Sequence, residues 1–341
     1  MIEEAFRAKR RQKFLTQRYY KLNLAFSDLM IKSGMEGLGN ARAMGKVDSV
    51  SQGGLFKDKL ALLELHYTAG EPIESLKPLY ADAMQWFSKW HQAHEEYRAF
   101  ISKDDIEKIR LDISPVHFED LFHFEIALDV VSLGLLLGEG DKVREATAWM
   151  GSERGSDMLF EAIVEPAVSD PRDVDEFFHP QPYDPLLDAI YTADTPEEAS
   201  AYVKKYLDGW YKAFEGVPWH NGHLVATDEY MAYDGYWAFE AAAVCVIHNI
   251  DDSSFRDHLV YPKDLADWAR ANNSLEKIKP DAGARALRLR CEGDQPCPQT
   301  GFWYTPAKEN SRRAFATGEN MPVIKGSPWG ATIWYWDDRQ S

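Results

Sequence analysis

Five residues between His117 and Glu125 are of types that bind metals or move protons: His117, Glu119, Asp120, His123 and Glu125. In a helical bundle the chemistry they suit is a carboxylate-rich di-iron centre, which needs a Glu-x-x-His pair on each of two helices and further Glu residues. Glu119 stands one residue too far from His123, Asp120 occupies the place where the pair needs Glu, and no second copy exists. His91-x-x-His94 with Glu95 fails in a similar way. A zinc-protease helix puts its two His at i and i+4, with Glu directly after the first, so this trio reads as solvated helix surface. Trp219-His220-Asn221-Gly222-His223 offers two imidazoles at a turn, with no cysteine nearby in sequence. A catalytic His needs a nucleophile or an orienting acid. The chain has no Gly-x-Ser-x-Gly elbow and no P-loop, so a loop or capping role is expected for both. Gly34-x-x-Gly37-x-Gly39 runs in the wrong order for a dinucleotide fingerprint. Cys245, inside an apolar run, is poorly placed to become a thiolate.

Glu240 is the most suggestive single residue, because it interrupts the apolar stretch Trp237–Ile247. A buried acid either finds a hydrogen-bonding partner or rises in pKa, as catalytic acids do. Pairing is the commoner outcome, and Arg256, Asp257 and His258 stand close enough in sequence to supply it. The competing reading is a hydrolase that uses Glu240 with His220 or His258, with or without a metal. No complete catalytic set assembles, so no enzyme activity, cofactor or metal is expected.

The elements that would position these residues are mostly helices. Hydrophobic periodicity predicts one long basic-to-amphipathic helix over 2–32, a Gly- and Ser-rich loop over 32–54, and helices over 57–67, 74–100, 118–137 and 142–150. Further helices are expected over 158–168, 185–193, 195–214, 230–249 and 263–271. Thr195-Pro196-Glu197-Glu198 supplies a strong start signal, and Pro262 opens the last helix. The separator 169–183 holds Pro171, Pro180 and Pro182 among acids and reads as an exposed loop. Beyond about residue 282, Gly301–Tyr304 and Ala331–Trp336 are aromatic and β-prone. The expected fold is mainly α: a two-part helical bundle, 1–150 and 151–281, with a small β-rich C-terminal appendage, 282–341.

The 341 residues carry 38 Lys and Arg against 55 Asp and Glu, a formal charge of −17. Hydrophobic residues make up 45% and charged residues 27%, a composition that excludes a disordered chain. Residues 1–21 are basic, whereas residues 153–198 hold thirteen acids and two Arg. A field of that sign repels nucleic acid and attracts basic partners. Three cysteines are too few for a disulfide scaffold. A bridge between Cys291 and Cys297 is open to the sequence, with reduced thiols the preferred reading. No signal peptide is read at Met1-Ile2-Glu3-Glu4, and the longest apolar stretch, Ala241–Ile247, is far short of a membrane span. A cytoplasmic protein is expected.

Three blocks carry a family resemblance: Asp234-Gly235-Tyr236-Trp237-Ala238-Phe239-Glu240-Ala241-Ala242-Ala243, then Ile250-Asp251-Asp252-Ser253-Ser254-Phe255-Arg256-Asp257-His258, then Tyr261-Pro262-Lys263-Asp264-Leu265. Together they resemble the C-terminal domain of the immunity proteins that neutralise PoNe-type DNase toxins, which type VI and related secretion systems deliver between bacteria. The basic opening, Arg10-Arg11-Gln12-Lys13-Phe14 through Tyr20, is similar to that family's N-terminal domain. Cys297-Pro298-Gln299-Thr300-Gly301-x-Trp303, Gly318-Glu319-x-Met321-Pro322 and Trp334-Tyr335-Trp336 resemble an extension on immunity proteins of related polymorphic-toxin groups. The resemblance implies an α-helical, non-enzymatic protein that binds a cognate toxin and blocks its active site.

The charge agrees in kind with that implication. A nuclease carries a cationic groove for phosphates, and an acidic inhibitor can steer itself into such a groove and gain specificity there. Asp170, Asp173, Asp175 and Glu176, with Phe177, Phe178 and Tyr183 as aromatic anchors, are the expected toxin-binding residues. Gly235, Tyr236, Trp237, Glu240, Asp251, Asp252, Asp257, His258, Pro262 and Asp264 are read as scaffold. Within that scaffold the acids and His258 are expected to hold the turn by hydrogen bonds. The expected partner is a secreted toxin bound one-to-one, with no direct nucleic acid and no membrane.

Overall fold

A computed structural model describes residues 2–44, 48–100, 115–279, 290–305, 308, 311–325 and 332–336. The helical part begins with α1 (Ile2–Lys9), α2 (Gln17–Ala43), α3 (Ser49–Thr68), a 3-10 turn at Ile73–Ser75, and α4 (Leu76–Phe100). It continues with α5 (Leu121–Leu137), α6 (Gly140–Trp149), α7 (Met158–Val164), α8 (Pro180–Leu187) with a π-helical turn at Asp188–Thr192, and α9 (Pro196–Ala213). Short α10 (Gly222–Val225), α11 (Phe239–Ile247), α12 (Lys263–Ala271) and α13 (Ser274–Ile278) complete it. No helix among the described residues is long and apolar enough to cross a membrane.

α5 is the spine of this part, with every residue from Phe124 to Leu137 buried. Asp120 caps its start by accepting from the His123 amide, and Gly138, at φ 72°, ends it in the left-handed region that glycine adopts without strain. α6, α11, α12 and α13 pack on this helix, while α3 lies between α2 and α4. The chain divides into two compact units, Met1–Pro280 and Asp281–Ser341. Residues on both sides of position 150 share one hydrophobic core, which runs from Phe6 to Ile278.

Three expectations about elements are corrected. The long helix over 2–32 is broken at residues 10–16, because the Arg11 amide donates to the Thr68 carbonyl (2.8 Å) at the end of α3 instead of to its own helix. The segment 32–54 is largely helical, with α2 running on to Ala43 and α3 starting at Ser49. Its glycines serve close packing: a Cβ on Gly34 would stand 2.9 Å from Leu55, and one on Gly53 would stand 2.7 Å from the Trp90 indole. Glycine there trades helix propensity for close helix contact. The apolar helix begins at Phe239, not at Tyr230. Before it, the backbone is claimed by other partners, since the Tyr19 hydroxyl accepts from the Ala232 and Tyr233 amides and Ala238 donates to the Val260 carbonyl. The helices expected over 74–100, 118–137, 195–214 and 263–271 all appear, and Thr195 caps α9 by accepting from the Glu198 amide.

The second unit is a four-stranded antiparallel sheet in the order β1-β4-β2-β3, from β1 (Arg290–Glu292), β2 (Gly301–Tyr304), β3 (Arg313–Phe315) and β4 (Ile333–Trp336). Its own small core holds Cys291, Cys297, Trp303, Phe315, Met321 and Trp334, and both cysteines are free thiols. The mainly α fold with a small β-rich C-terminal part is the one read from the sequence.

Candidate functional site

The acidic stretch sorts into acids that build and acids that face water. Glu153, Asp157 and Glu161 are buried. Glu161 takes a bidentate pair from Arg154 (2.8 and 2.9 Å) and accepts from the Gly155 amide as well. Both side chains of that pair are almost wholly out of water, and the fork geometry satisfies both carboxylate oxygens. Asp157 caps α7 through the Phe160 amide and accepts from the Phe178 amide (3.0 Å), while Met158 donates to the Glu176 carbonyl (2.8 Å). Arg154 also reaches the Asp170 carbonyl, and Arg172 donates to the Arg154 carbonyl. The loop 165–179 is thus tied down at both ends.

On that fixed loop Asp170, Asp173, Asp175 and Glu176 are exposed. Burial, and then the charge of Asp173, raises the Asp175 pKa. Phe178 is 37% exposed, whereas Phe177 is half-buried against the core. A shallow depression of about 400 Å³ is lined by Ser156, Asp175, Glu176, Phe177 and Phe178. Tyr183 is elsewhere: it is 1% exposed, with its ring against Phe124, Tyr206 and Phe214. As placed, it presents nothing to a partner.

Tyr191, which the sequence reading passed over, is 60% exposed. Burial of its hydroxyl and the charges of Asp173, Glu165 and Asp175 push its phenol up to about 12, which puts it beside the acidic loop. Helical spacing carried the signal. Tyr183, Leu186, Leu187 and Ile190 follow i, i+3, i+4, i+7 and turn toward the core, which leaves Tyr191 off that face.

The blocks over 234–265 form a separate network. Asp252, 5% exposed, accepts from Arg256 (2.9 Å), Arg270 (2.7 Å) and the Tyr261 hydroxyl (2.9 Å). Asp251 holds Ser253 through its amide and hydroxyl, which lowers the Asp251 pKa. Lys263 pairs with Asp257 (2.5 Å) and lowers that pKa too. The His258 ring lies 3.8 Å from Asp208, and burial lowers its pKa. Pro262 supplies the first carbonyl of α12, accepting from the Ala266 amide. Asp264 accepts from Arg11 (2.8 Å).

Glu240 does not join the turn. It is buried and accepts from the Tyr206 hydroxyl on α9. Burial raises its pKa to about 7, against the lowering effect of that hydrogen bond and of one from Trp210. The expected pairing with Arg256, Asp257 and His258 is therefore replaced by one across the core. His220 bonds the Tyr211 carbonyl (3.1 Å), and His223 bonds the Tyr236 hydroxyl (2.7 Å). Neither His220 nor His258 is brought to Glu240, and among the described residues no group of three His, Cys, Asp or Glu side chains could hold a metal. His94 is buried, not solvated, while Asp120 serves as a helix cap.

Gly235 shows why its block needs glycine. A Cβ there would lie 2.3 Å from the Thr68 hydroxyl and 2.4 Å from the Trp237 indole nitrogen. Those two atoms bond one another at 2.8 Å, and Thr68 also donates to the Asp234 carbonyl. Gly235→Ala is expected to cost about 2 kcal/mol through overpacking and loss of that bond. Urea denaturation checks it, and an unchanged midpoint would refute the close-approach argument.

A family model for the C-terminal domain of PoNe immunity proteins (PoNi) matches residues 155–265, a span that holds the acidic loop and, of the Asp252 network, Asp252, Arg256 and Tyr261. Among solved structures, the chain is similar to protein PA2201 from Pseudomonas aeruginosa at 16% identity. That likeness covers 80% of this chain and 95% of that one with a TM-score of 0.60, and it is a likeness of fold. No curated protein sequence matches. The sequence blocks, the helical scaffold they build and the family match agree over residues 155–265, where the chain is similar to the PoNi C-terminal domain.

Proposed function

We propose that this protein is an immunity protein that binds its cognate PoNe-type nuclease toxin one-to-one and covers the toxin's active site, acting in the cytoplasm of a cell that competes through type VI or related secretion. The observation that carries this reading is the PoNi C-terminal match, and it encloses the loop on which Asp170, Asp173, Asp175 and Glu176 stand exposed. A DNA-cleaving toxin needs a cationic groove. A fixed loop of carboxylates complements that groove in charge and loses little freedom on docking. Phe178 and Tyr191 are the exposed rings beside the acids and supply the apolar anchors.

The test is the fourfold reversal Asp170→Lys, Asp173→Lys, Asp175→Lys and Glu176→Lys, read by surface plasmon resonance against purified toxin and by growth rescue. The expected result is at least about tenfold slower association at low salt, together with loss of protection. Unchanged affinity would remove this loop from the interface. Occlusion has its own readout: stoichiometric addition of the protein should abolish DNA cleavage by the toxin in vitro, and cleavage that persists in the bound complex would remove occlusion.

A further inference from the structure

A second acidic feature lies inside the helical unit. A cavity of about 240 Å³ is lined by residues of α3, α5 and α9, the 219–223 turn and the segment 232–237. That is below the size of a pocket for a drug-like ligand and ample for one small head group. Glu64, Glu125, Asp129 and Asp234 line it, together with the indoles of Trp210 and Trp219. Glu64, Asp234, Lys57 and Phe122 in its wall are only half-buried, so the cavity communicates with solvent.

Two of the four acids have a partner. Glu125 accepts from the Trp219 indole (2.7 Å), and Asp234 accepts from Asn23 (2.7 Å). Asp129 is 8% exposed, and its Oδ1 has no hydrogen-bond partner. A buried acceptor left unpaired costs about 1–3 kcal/mol, so it points to a missing donor. Among the described residues no Lys or Arg forms an ion pair with these four acids. Lys57, the basic residue in the lining, holds its ammonium 5.6 Å from the Phe122 ring centre. Burial, and then the charges of Glu64, Glu125 and Glu240, raise the Asp129 pKa well above the usual carboxylate range. The site therefore sets four acids against one ammonium, which lies by the Phe122 ring, and it has aromatic faces.

We propose that this cavity is a binding site for a guanidinium group, held by Asp129 and Glu64 and stacked against the indoles of Trp210 and Trp219. A guanidinium is planar, donates in pairs to carboxylates, and stacks on aromatic faces more readily than an ammonium does. Its positive charge offsets the mutual repulsion of the acids. The group can arrive on a free small molecule or on an arginine side chain.

Thermal unfolding of the full chain tests the site, with agmatine and with the peptide acetyl-Gly-Arg-Gly-amide as separate probes and sodium chloride at matched ionic strength as control. A rise in Tm of about 3 °C or more with either probe is expected, absent with salt. A larger shift with agmatine assigns a free guanidine, and a larger shift with the peptide assigns an arginine side chain. Asp129→Asn and Glu64→Gln, each verified as folded by circular dichroism, are expected to lose the shift. Two results would overturn the proposal: no shift beyond salt with either probe, or full retention of the shift in both variants.

Discussion

Replacing Asp252 with alanine is expected to lower the unfolding free energy by about 3 kcal/mol, the largest single-site loss in the 234–265 blocks. The carboxylate is buried and accepts from two arginines and a tyrosine. Breaking a buried pair by removing one partner costs about 3–5 kcal/mol. Here the two guanidinium groups keep about a third of their side-chain surface in water, and hydration recovers part of that loss. The Tyr261 hydroxyl, deeply placed, has no such recourse and keeps only the weakly bonding Cys245 thiol beside it. Asp252→Asn, which preserves an acceptor for Tyr261, should fall between wild type and alanine. Asp251→Ala and Asp257→Ala, at exposed carboxylates, should leave the urea midpoint nearly unmoved. Equal midpoints for the Asp252 and Asp257 variants would show that the three-way contact holds nothing.

The second large effect concerns pH. Glu240 titrates near 4.5 when exposed and near 7 in the fold. Between those values the unfolded chain has released the proton and the native chain still holds it. The native state therefore binds more protons, and stability falls as pH rises. The full stabilisation is present below about pH 4.5 and is lost by the time pH passes about 7. Across that interval the loss, at about 1.4 kcal/mol per pH unit, amounts to about 3.5 kcal/mol. Burial also raises Glu64, to about 8, and Glu125 and Asp129 well above the usual range, so the whole chain should be more stable near pH 5 than near pH 8. Glu240→Gln isolates one contribution: the difference in unfolding free energy between pH 5 and pH 8 should shrink by about 2.5 kcal/mol relative to wild type. Parallel pH profiles for the two proteins would refute the assignment.

What the sequence made legible follows from the range of each interaction. Thr195, Pro196 and Glu198 act within one turn of one another, so the start of α9 could be read locally. The core character of α5 was equally plain in its run of apolar residues. The break after Lys9 and the extended segment before Phe239 were not legible, because each answers the other. Gln12, 1% exposed, donates to the carbonyls of Tyr236 and Leu259 and accepts from the Tyr233 hydroxyl and the Tyr236 amide. Nothing within ten residues of Gln12 announces that. The glycines of 32–54 misled for the same reason, since a glycine chosen for a neighbouring helix looks like one chosen for a turn. In the acidic stretch, charge located the surface loop well, but telling its exposed carboxylates from structural ones needed Arg154, whose pairing with Glu161 is a tertiary fact.

The clasp made by Arg11 and Gln12 also sets a timetable for synthesis. Gln12 meets Tyr236 across 224 positions, and Arg11 meets Asp264 across 253. At about 5–20 residues per second, a ribosome needs on the order of 10–50 s to make that distance. Through that interval Arg11 and Gln12 have been made and their partners at 236 and 264 have not. Until then residues 11 and 12 are without their side-chain bonds to Tyr236, Leu259 and Asp264. Residues 11–19 are thus among the last to find their place, and a nascent chain halted before Ala232 leaves the Tyr19 hydroxyl without the two amides it accepts from.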